Sequence, residues 1–308
     1  MNFTTLLNAM PGAIAQGLIW GIMAIGLFIT YKVLDYSDLT VDGTMATGGA
    51  VCIMLMMQGV NVWIALLCAI IAGMLAGLAT GLFHTAMGIP PILAGILTQL
   101  SLYSINLTIM QGKANQAVSV TKYNLIVSSR YVKELSPHNP IFITAIVIIV
   151  LIAILYWFFG TELGCSLRAT GANAAMARAQ GINTNFCKIL GLMIANGIVA
   201  LASAMYSHYQ GFVDVNMGRG AIVIGLAAVI ISDVIFGKLF RNFALKLFAV
   251  ALGAVIYYIV IQIVLWLGLD TNLLKLLSAL IVALFLALPY WKGKFRAKPS
   301  RKGGSRNA

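Results

Sequence analysis

Residues 140–160, PIFITAIVIIVLIAILYWFFG, form a run without a charged side chain, and the polar segment TELGCSLRATGANAAMARAQGIN (residues 161–183) follows it directly. A helix needs about 20 apolar residues to cross the hydrocarbon core of a bilayer. The run is continuous, whereas the strands of a membrane barrel alternate between apolar and polar residues. This part of the chain therefore predicts a membrane-spanning helix that ends in a short polar stretch.

The rest of the 308-residue chain has the same character, with 61% hydrophobic and only 9% charged residues. This composition excludes a soluble globular protein and indicates an all-α, polytopic transmembrane helix bundle. We expect broken helices at 43–58, which contains Gly48-Gly49, and at 220–237, because both runs are short. The predicted spans are nine: 12–31, 43–58, 62–87, 90–111, 140–160, 186–209, 220–237, 247–268 and 272–290.

Basic residues predict the orientation of the bundle. An integral domain, residues 1–291, precedes a basic tail, residues 292–308, that has the composition of a disordered segment. The positive-inside rule places this tail in the cytoplasm, so an odd number of spans leaves the N-terminus outside. The basic residues of loop 113–139 oppose this trend. The net charge of +12 is explained by topology and anionic lipid headgroups and does not indicate nucleic acid.

The polar segment contains its own short helix. Asn173 is a good N-cap, residues 174–180 are rich in helix-forming side chains, and Gly181 suits the left-handed position that ends a helix. Two turns are too few for stability in water, where about 12–15 residues are needed. We therefore expect this helix to pack against something else, such as another subunit.

The polar segment resembles the coupling segment of permease subunits in ABC importers of the branched-chain amino acid and ribose type. Three further blocks follow the order of that family: SDLTVDG (37–43), IPPILA (89–94) and GLAAVI (225–230). One departure is Ile231-Ser232-Asp233, where the family has Gly-Gly. Within the family, the chain is most similar to permeases of tryptophan and tyrosine systems.

The resemblance implies a set of partners and coupling residues. The partners are two P-loop ATPase subunits, an extracytoplasmic substrate-binding protein that we expect to contact loop 113–139, and a second permease copy. The resemblance also implies a bacterial cell membrane location. The residues expected to couple the chain to the ATPase are Gly171, Asn173, Arg178 and Gly181, with Arg178 offering a charge to the ATPase surface.

Several polar residues are candidates for lining a translocation path. Asp35, Asp38 and Asp42 cluster after the first span, and we expect one or two of them to cap helices, with Asp42 placed to cap Gly43 onward. No histidine or further acid completes a metal-ligand set, so no metal is predicted. The fourth span is also unusually polar, and its side chains either bond neighbouring helices or line a water-filled path. The candidate path residues are Asp38, Thr40, Gln99, Ser101 and Asn106.

Two features within the spans have a structural explanation. Gly73, Gly77 and Gly81 form a ladder of small residues that favours packing inside one subunit over contact with a second copy. Asp233 is an acid inside a predicted span, and we expect a structural ion pair with the nearby Lys238.

The sequence contains no P-loop motif and no hydrolase motif, so the chain is predicted to be no enzyme and to have no cofactor. It must then obtain energy from a separate ATPase. We predict the permease subunit of a bacterial ABC importer that moves a small solute by alternating access, with an amino acid first and a sugar or nucleoside second. A self-sufficient secondary transporter or channel is the rival, but it would show inverted repeats, and none is evident.

Overall fold

The computed structural model describes residues 3–118, 123, 125–133, 139–268 and scattered positions between 273 and 287. About 79% of the described residues are helical and almost none are in strands, which confirms the all-α bundle. Its helices are α1 (Phe3–Phe28, continued by a π-helical turn Ile29–Val33), α2 (Thr40–Met57), α3 (Val62–Thr85), α4 (Pro91–Ile109), α5 (Pro140–Gly160), α6 (Glu162–Ala172), α7 (Ala174–Ala179), α8 (Thr184–Gln210), α9 (Ala221–Phe236) and α10 (Phe243–Trp266).

Within the described residues, seven helices are long and apolar enough to cross a membrane, and α9 is a shorter apolar helix. They correspond to the first eight predicted spans, with α1 beginning nine residues earlier than expected. The ninth predicted span, 272–290, lies largely outside the described residues, and the basic tail, 292–308, lies wholly outside them.

Local sequence signals set the helix ends. The Asn61 and Asn139 side chains accept hydrogen bonds from Trp63 N–H at 3.0 Å and Ile141 N–H at 2.9 Å, which caps α3 and α5. At the far end of α8, Gly211 adopts φ +75°, the left-handed conformation that glycine tolerates best.

The most buried spanning helices are α1, α2 and α8. In the most apolar window of α1, 78% of residues are buried, against 17% in α5, so α5 presents its apolar surface to lipid or to another subunit.

The small-residue ladder lets α3 approach α8 closely. A side chain at Gly73 would collide with Asn196 and Ala200, one at Gly77 with Leu192, and one at Gly81 with Ile189. All of these are residues of α8 in the same chain, so the expectation of packing inside one subunit is confirmed.

The helix breaks expected within 43–58 and 220–237 are wrong, since α2 runs unbroken from Thr40 to Met57 and α9 from Ala221 to Phe236. The two glycines of α2 instead provide space: a Cβ at Gly48 would overlap the backbone of Ala200, and one at Gly49 would overlap the Ser207 side chain. The irregular backbone lies before α2, at residues 34–39, where Asp35 has φ +52°.

Two short strands, β1 (Asn115–Ala117) and β2 (Phe212–Asp214), pair antiparallel after the C-terminal end of α8. The helices α6 and α7 lie before the N-terminal end of α8. We call these two sides of the bundle the strand end and the α7 end. From the strand end, residues 215–220 lead back to the start of α9, where a Cβ at Gly218 would overlap the Asp42 carbonyl oxygen.

Candidate translocation cavity and its connection to the polar segment

The short helix expected in the polar segment is present as α7. The Asn173 Oδ1 accepts hydrogen bonds from the N–H groups of Ala175 at 3.1 Å and Met176 at 3.0 Å. After the helix, Gly181 adopts φ +81°, and Ile182 N–H donates to the Ala177 carbonyl at 3.1 Å. Asn173 and Gly181 thus shape α7 as their sequence positions predict.

Most of α7 is exposed. Arg178 lies on its open surface, whereas Ala177 is buried against the bundle. The sequence did not indicate α6, the helix before it. Thr161 begins α6 by accepting a hydrogen bond from Gly164 N–H at 3.3 Å.

Gly171 joins the polar segment to the end of α1. A Cβ at this position would overlap the carbonyl oxygen of Val33 and lie 2.9 Å from the Leu34 Cα. Only glycine permits this backbone-to-backbone approach, because the atoms opposed to it cannot rotate away. A displacement of α6 therefore acts directly on residues 33–34.

Asp38 is buried at the end of the irregular stretch that follows Leu34. One carboxylate oxygen accepts from Thr40 N–H at 2.9 Å, and the other accepts from the Asn196 amide at 2.7 Å. Asn196 in turn accepts from the Thr44 hydroxyl at 2.8 Å. These bonds fasten the start of α2 to the middle of α8.

Thr40 belongs to a second buried cluster. Its Oγ1 lies 2.7 Å from the Thr80 Oγ1, and the Thr80 hydroxyl donates to Thr98 at 2.8 Å. These hydrogen bonds between threonine hydroxyls connect α2 to α3 and α4. Asp38 and Thr40 therefore hold helices together, and neither lines the cavity described next.

Asp42 caps a helix other than the one expected. It lies inside the first turn of α2, and its two carboxylate oxygens accept from the N–H groups of Gly220 at 3.0 Å and Ile222 at 2.9 Å. The expectation that it caps Gly43 onward is wrong, because folding brings the N-terminus of α9 against its side chain. The negative charge is well placed beside that positive helix end.

A cavity of about 340 Å³ lies between α2, α4 and the segment 215–219 that leads to α9. This volume is within the range of small-molecule sites. The candidates Gln99 and Asn106 both line it, as their seven-residue spacing on one helix face allows. The other lining residues are Asp42, Gly43, Leu100, Tyr103, Val215 and Arg219.

Asn106 is the most unusual residue of the cavity. It is only 1% exposed, and neither its amide nitrogen nor its amide oxygen has a hydrogen-bond partner within the described part of the chain. A buried polar group left unsatisfied costs about 1–3 kcal/mol.

Ser101 is separated from this site. It is exposed and donates to the Leu97 carbonyl of its own helix at 2.9 Å. In contrast, Tyr103 and Arg219 line the cavity although sequence patterns did not single them out. Arg219 could have been noticed as a cation directly before an apolar run.

Asp233 pairs with Lys32 at 2.7 Å, and not with Lys238 as expected. Both side chains are close to half exposed, at 44% and 43%, and they lie beside a larger cavity of about 1340 Å³ at the α7 end. The pairing arises because α9 packs against α1, which sequence proximity does not show. Among the described residues, no three acidic, histidine or cysteine side chains are grouped to hold a metal ion.

Comparisons with known proteins agree with this architecture. The tyrosine transport system permease protein of Clostridioides difficile (strain R20291) is 37% identical over 281 residues, which cover 91% of each chain. The ribose import permease protein of Escherichia coli (strain K12) is 25% identical over 230 residues, covering 75% of this chain and 70% of that one.

A solved structure, PsaBC from Streptococcus pneumoniae in complex with a Fab, is similar in fold. It matches with a TM-score of 0.50 and 18% identity, covering 94% of this chain and 92% of that one. The model of the family described as branched-chain amino acid transport system / permease component matches residues 10–288. The chain therefore belongs to this family of transport permeases.

Proposed function

We propose that this chain is the membrane-spanning subunit of an ABC importer that carries an amino acid into the bacterial cell, driven by ATP hydrolysis on separate subunits. Its family and its apolar helices make it a multi-pass protein of the bacterial inner membrane. Permeases of this kind work with ATPase and substrate-binding partners. The nearly full-length similarity to a tyrosine permease favours an amino acid over a sugar, since the ribose permease is matched at lower identity.

The observation that carries the proposal is a continuous set of contacts from α7 to the cavity. It begins with the Gly171 contact at Val33 and continues through residues 34–39 to Asp38, which fixes the start of α2. One turn into α2, Asp42 holds the N-terminus of α9 beside the cavity. A push on α7 thus has a route, through α6 and residues 33–38, to the site where a solute would pass.

This arrangement supports an orientation. The exposed α7, with Arg178 on its surface, would face the ATPase in the cytoplasm, and the strand end would face the substrate-binding protein outside. A second permease copy would cover part of the apolar surface of α3, α4 and α5. In the most apolar windows of these helices, only 17–28% of the residues are buried within one chain.

The test is transport by the importer reconstituted in liposomes with its ATPase and binding protein. We expect uptake of tyrosine to require ATP and to fall strongly in Arg178→Glu, because the reversed charge meets the ATPase surface. Lys246→Glu is the matched control, as it changes an exposed cation of α10 at the same end of the bundle. ATP-independent uptake, or equal loss in both variants, would contradict the proposal. Uptake of ribose in place of tyrosine would identify a sugar permease.

A further inference from the structure

The cavity between α2, α4 and residues 215–219 is lined by charged side chains of both signs. The Asp42 carboxylate accepts only two hydrogen bonds, although a carboxylate has about four acceptor positions. Arg219 also lines the cavity; it is an exposed residue, and its guanidinium has no ion pair or hydrogen bond within the described residues. One anion and one unpaired cation therefore face the same space.

The remaining lining supplies polar and apolar contacts. The Asn106 amide is buried in the cavity with both its donor and its acceptor unused, and the Gln99 side chain lies about two turns earlier on the same face of α4. Tyr103 and Leu100 are 41% and 64% exposed and present an aromatic ring and an aliphatic chain at the same site. An aromatic ring can stack in an offset arrangement on that of Tyr103.

Free amino acids match this lining. Their α-carboxyl and α-amino groups are both ionised near neutral pH. Burial of two opposite charges is tolerated only when each meets a partner of opposite sign. A neutral sugar brings no carboxylate to pair with the guanidinium and no ammonium group to pair with the Asp42 carboxylate.

We propose that this cavity is a transit site for a zwitterionic amino acid within the permease itself. Arg219 binds the carboxylate, and Asp42 accepts the ammonium group. Tyr103 and Leu100 contact an apolar or aromatic side chain, while Asn106 and Gln99 hydrogen-bond to its polar atoms. The site rests on the proposed import function, but it locates recognition in this subunit in addition to the substrate-binding protein.

The test uses the assembled importer with Tyr103→Cys, alkylated by a small maleimide and read by peptide mass spectrometry. Native cysteines, such as the exposed Cys165, are distinguished by their peptides. Tyrosine at twice its dissociation constant should slow labelling at position 103 about threefold. Tyramine, which lacks the carboxylate, 3-(4-hydroxyphenyl)propionate, which lacks the ammonium group, and ribose should not slow it.

Arg219→Met, added to this variant, should abolish protection by tyrosine. Arg241→Met is the matched control, because it removes an exposed cation beyond the other end of α9, and protection should persist in it. Protection by ribose or tyramine as strong as that by tyrosine would overturn the proposal, as would protection that persists without the Arg219 guanidinium.

Asn106→Leu separates a binding role from a structural one. If the amide serves the solute, its replacement should leave the unfolding midpoint of the permease equal or higher, because an unsatisfied polar group is removed. The tyrosine concentration that gives half-maximal protection should nevertheless rise about tenfold. A lowered midpoint with unchanged protection would assign Asn106 to the packing of α4 and contradict the proposal.

The two levels of inference fail differently. If the Tyr103→Cys importer takes up tyrosine with ATP but position 103 shows no labelling protection, the transit site is wrong and the import function stands. If ATP drives no amino acid uptake, the proposed function fails and the site fails with it.

Discussion

Replacing Gly171 by alanine should weaken the contact between α6 and the end of α1. The new Cβ would overlap the Val33 carbonyl oxygen and lie 2.8 Å from its carbonyl carbon and 2.9 Å from the Leu34 Cα. All three are backbone atoms, so no side-chain rotation relieves the overlap. The helix must move away, and the contact through which α7 would act on residues 33–34 loosens.

The magnitude follows from comparison with a glycine that has free space. Gly160 is the last residue of α5, and a Cβ there would meet nothing within 4 Å. Alanine in a helix is about 1 kcal/mol more favourable than glycine, a gain that is common to both substitutions. Overpacking costs about 1–3 kcal/mol, and it applies to Gly171 alone. We therefore expect Gly171→Ala to be less stable than Gly160→Ala by about 1–3 kcal/mol, toward the upper end of this range.

The assay has two parts. The unfolding of each purified variant is followed in detergent mixtures with increasing SDS, and the reconstituted importer is measured for tyrosine uptake per ATP hydrolysed. Gly171→Ala should lower both the unfolding midpoint and the uptake per ATP, whereas Gly160→Ala should lower neither. Equal midpoints for the two variants would refute the close approach at Val33. A lowered midpoint with normal uptake per ATP would refute its role in transmitting motion.

Two further predictions concern buried and half-exposed polar contacts. Asn196→Leu should destabilise the chain by about 3 kcal/mol, because it leaves one oxygen of the buried Asp38 carboxylate without a donor. Combining Asn196→Asp with Asp38→Asn should restore the SDS unfolding midpoint better than either single change, and an additive loss would argue against the bond. The Lys32–Asp233 pair should contribute about 0–1 kcal/mol, since both side chains are nearly half exposed. A double-mutant cycle with Lys32→Met and Asp233→Asn measures this coupling, and a value above about 2 kcal/mol would contradict it.

Much of the fold could be predicted from composition and from local sequence signals. Apolar runs of the length that a bilayer requires located the described spanning helices, because no other regular structure satisfies the backbone in lipid. Capping residues predicted α7 well, since Asn173 and Gly181 act on backbone groups only a few positions away.

Contacts between distant parts of the chain could not be predicted in the same way. Asp42 was expected to cap its own helix, and Asp233 to pair with a neighbour in sequence, but both find partners on helices that only packing brings near. A helix break was expected within 43–58, but the Gly48-Gly49 pair in that run instead admits α8. A glycine in sequence does not reveal whether it bends its own helix or makes room for another.

By itself, the sequence determined that this protein is a helical membrane permease with a short capped helix in a polar segment, because hydrophobic length and capping are local properties. Only the tertiary structure decided which polar residues share a cavity. It separated Ser101 from Gln99 and Asn106, and it brought Arg219 to them from beyond the end of α8. A binding site depends on distances between side chains, and those distances are fixed by helix packing rather than by order along the chain.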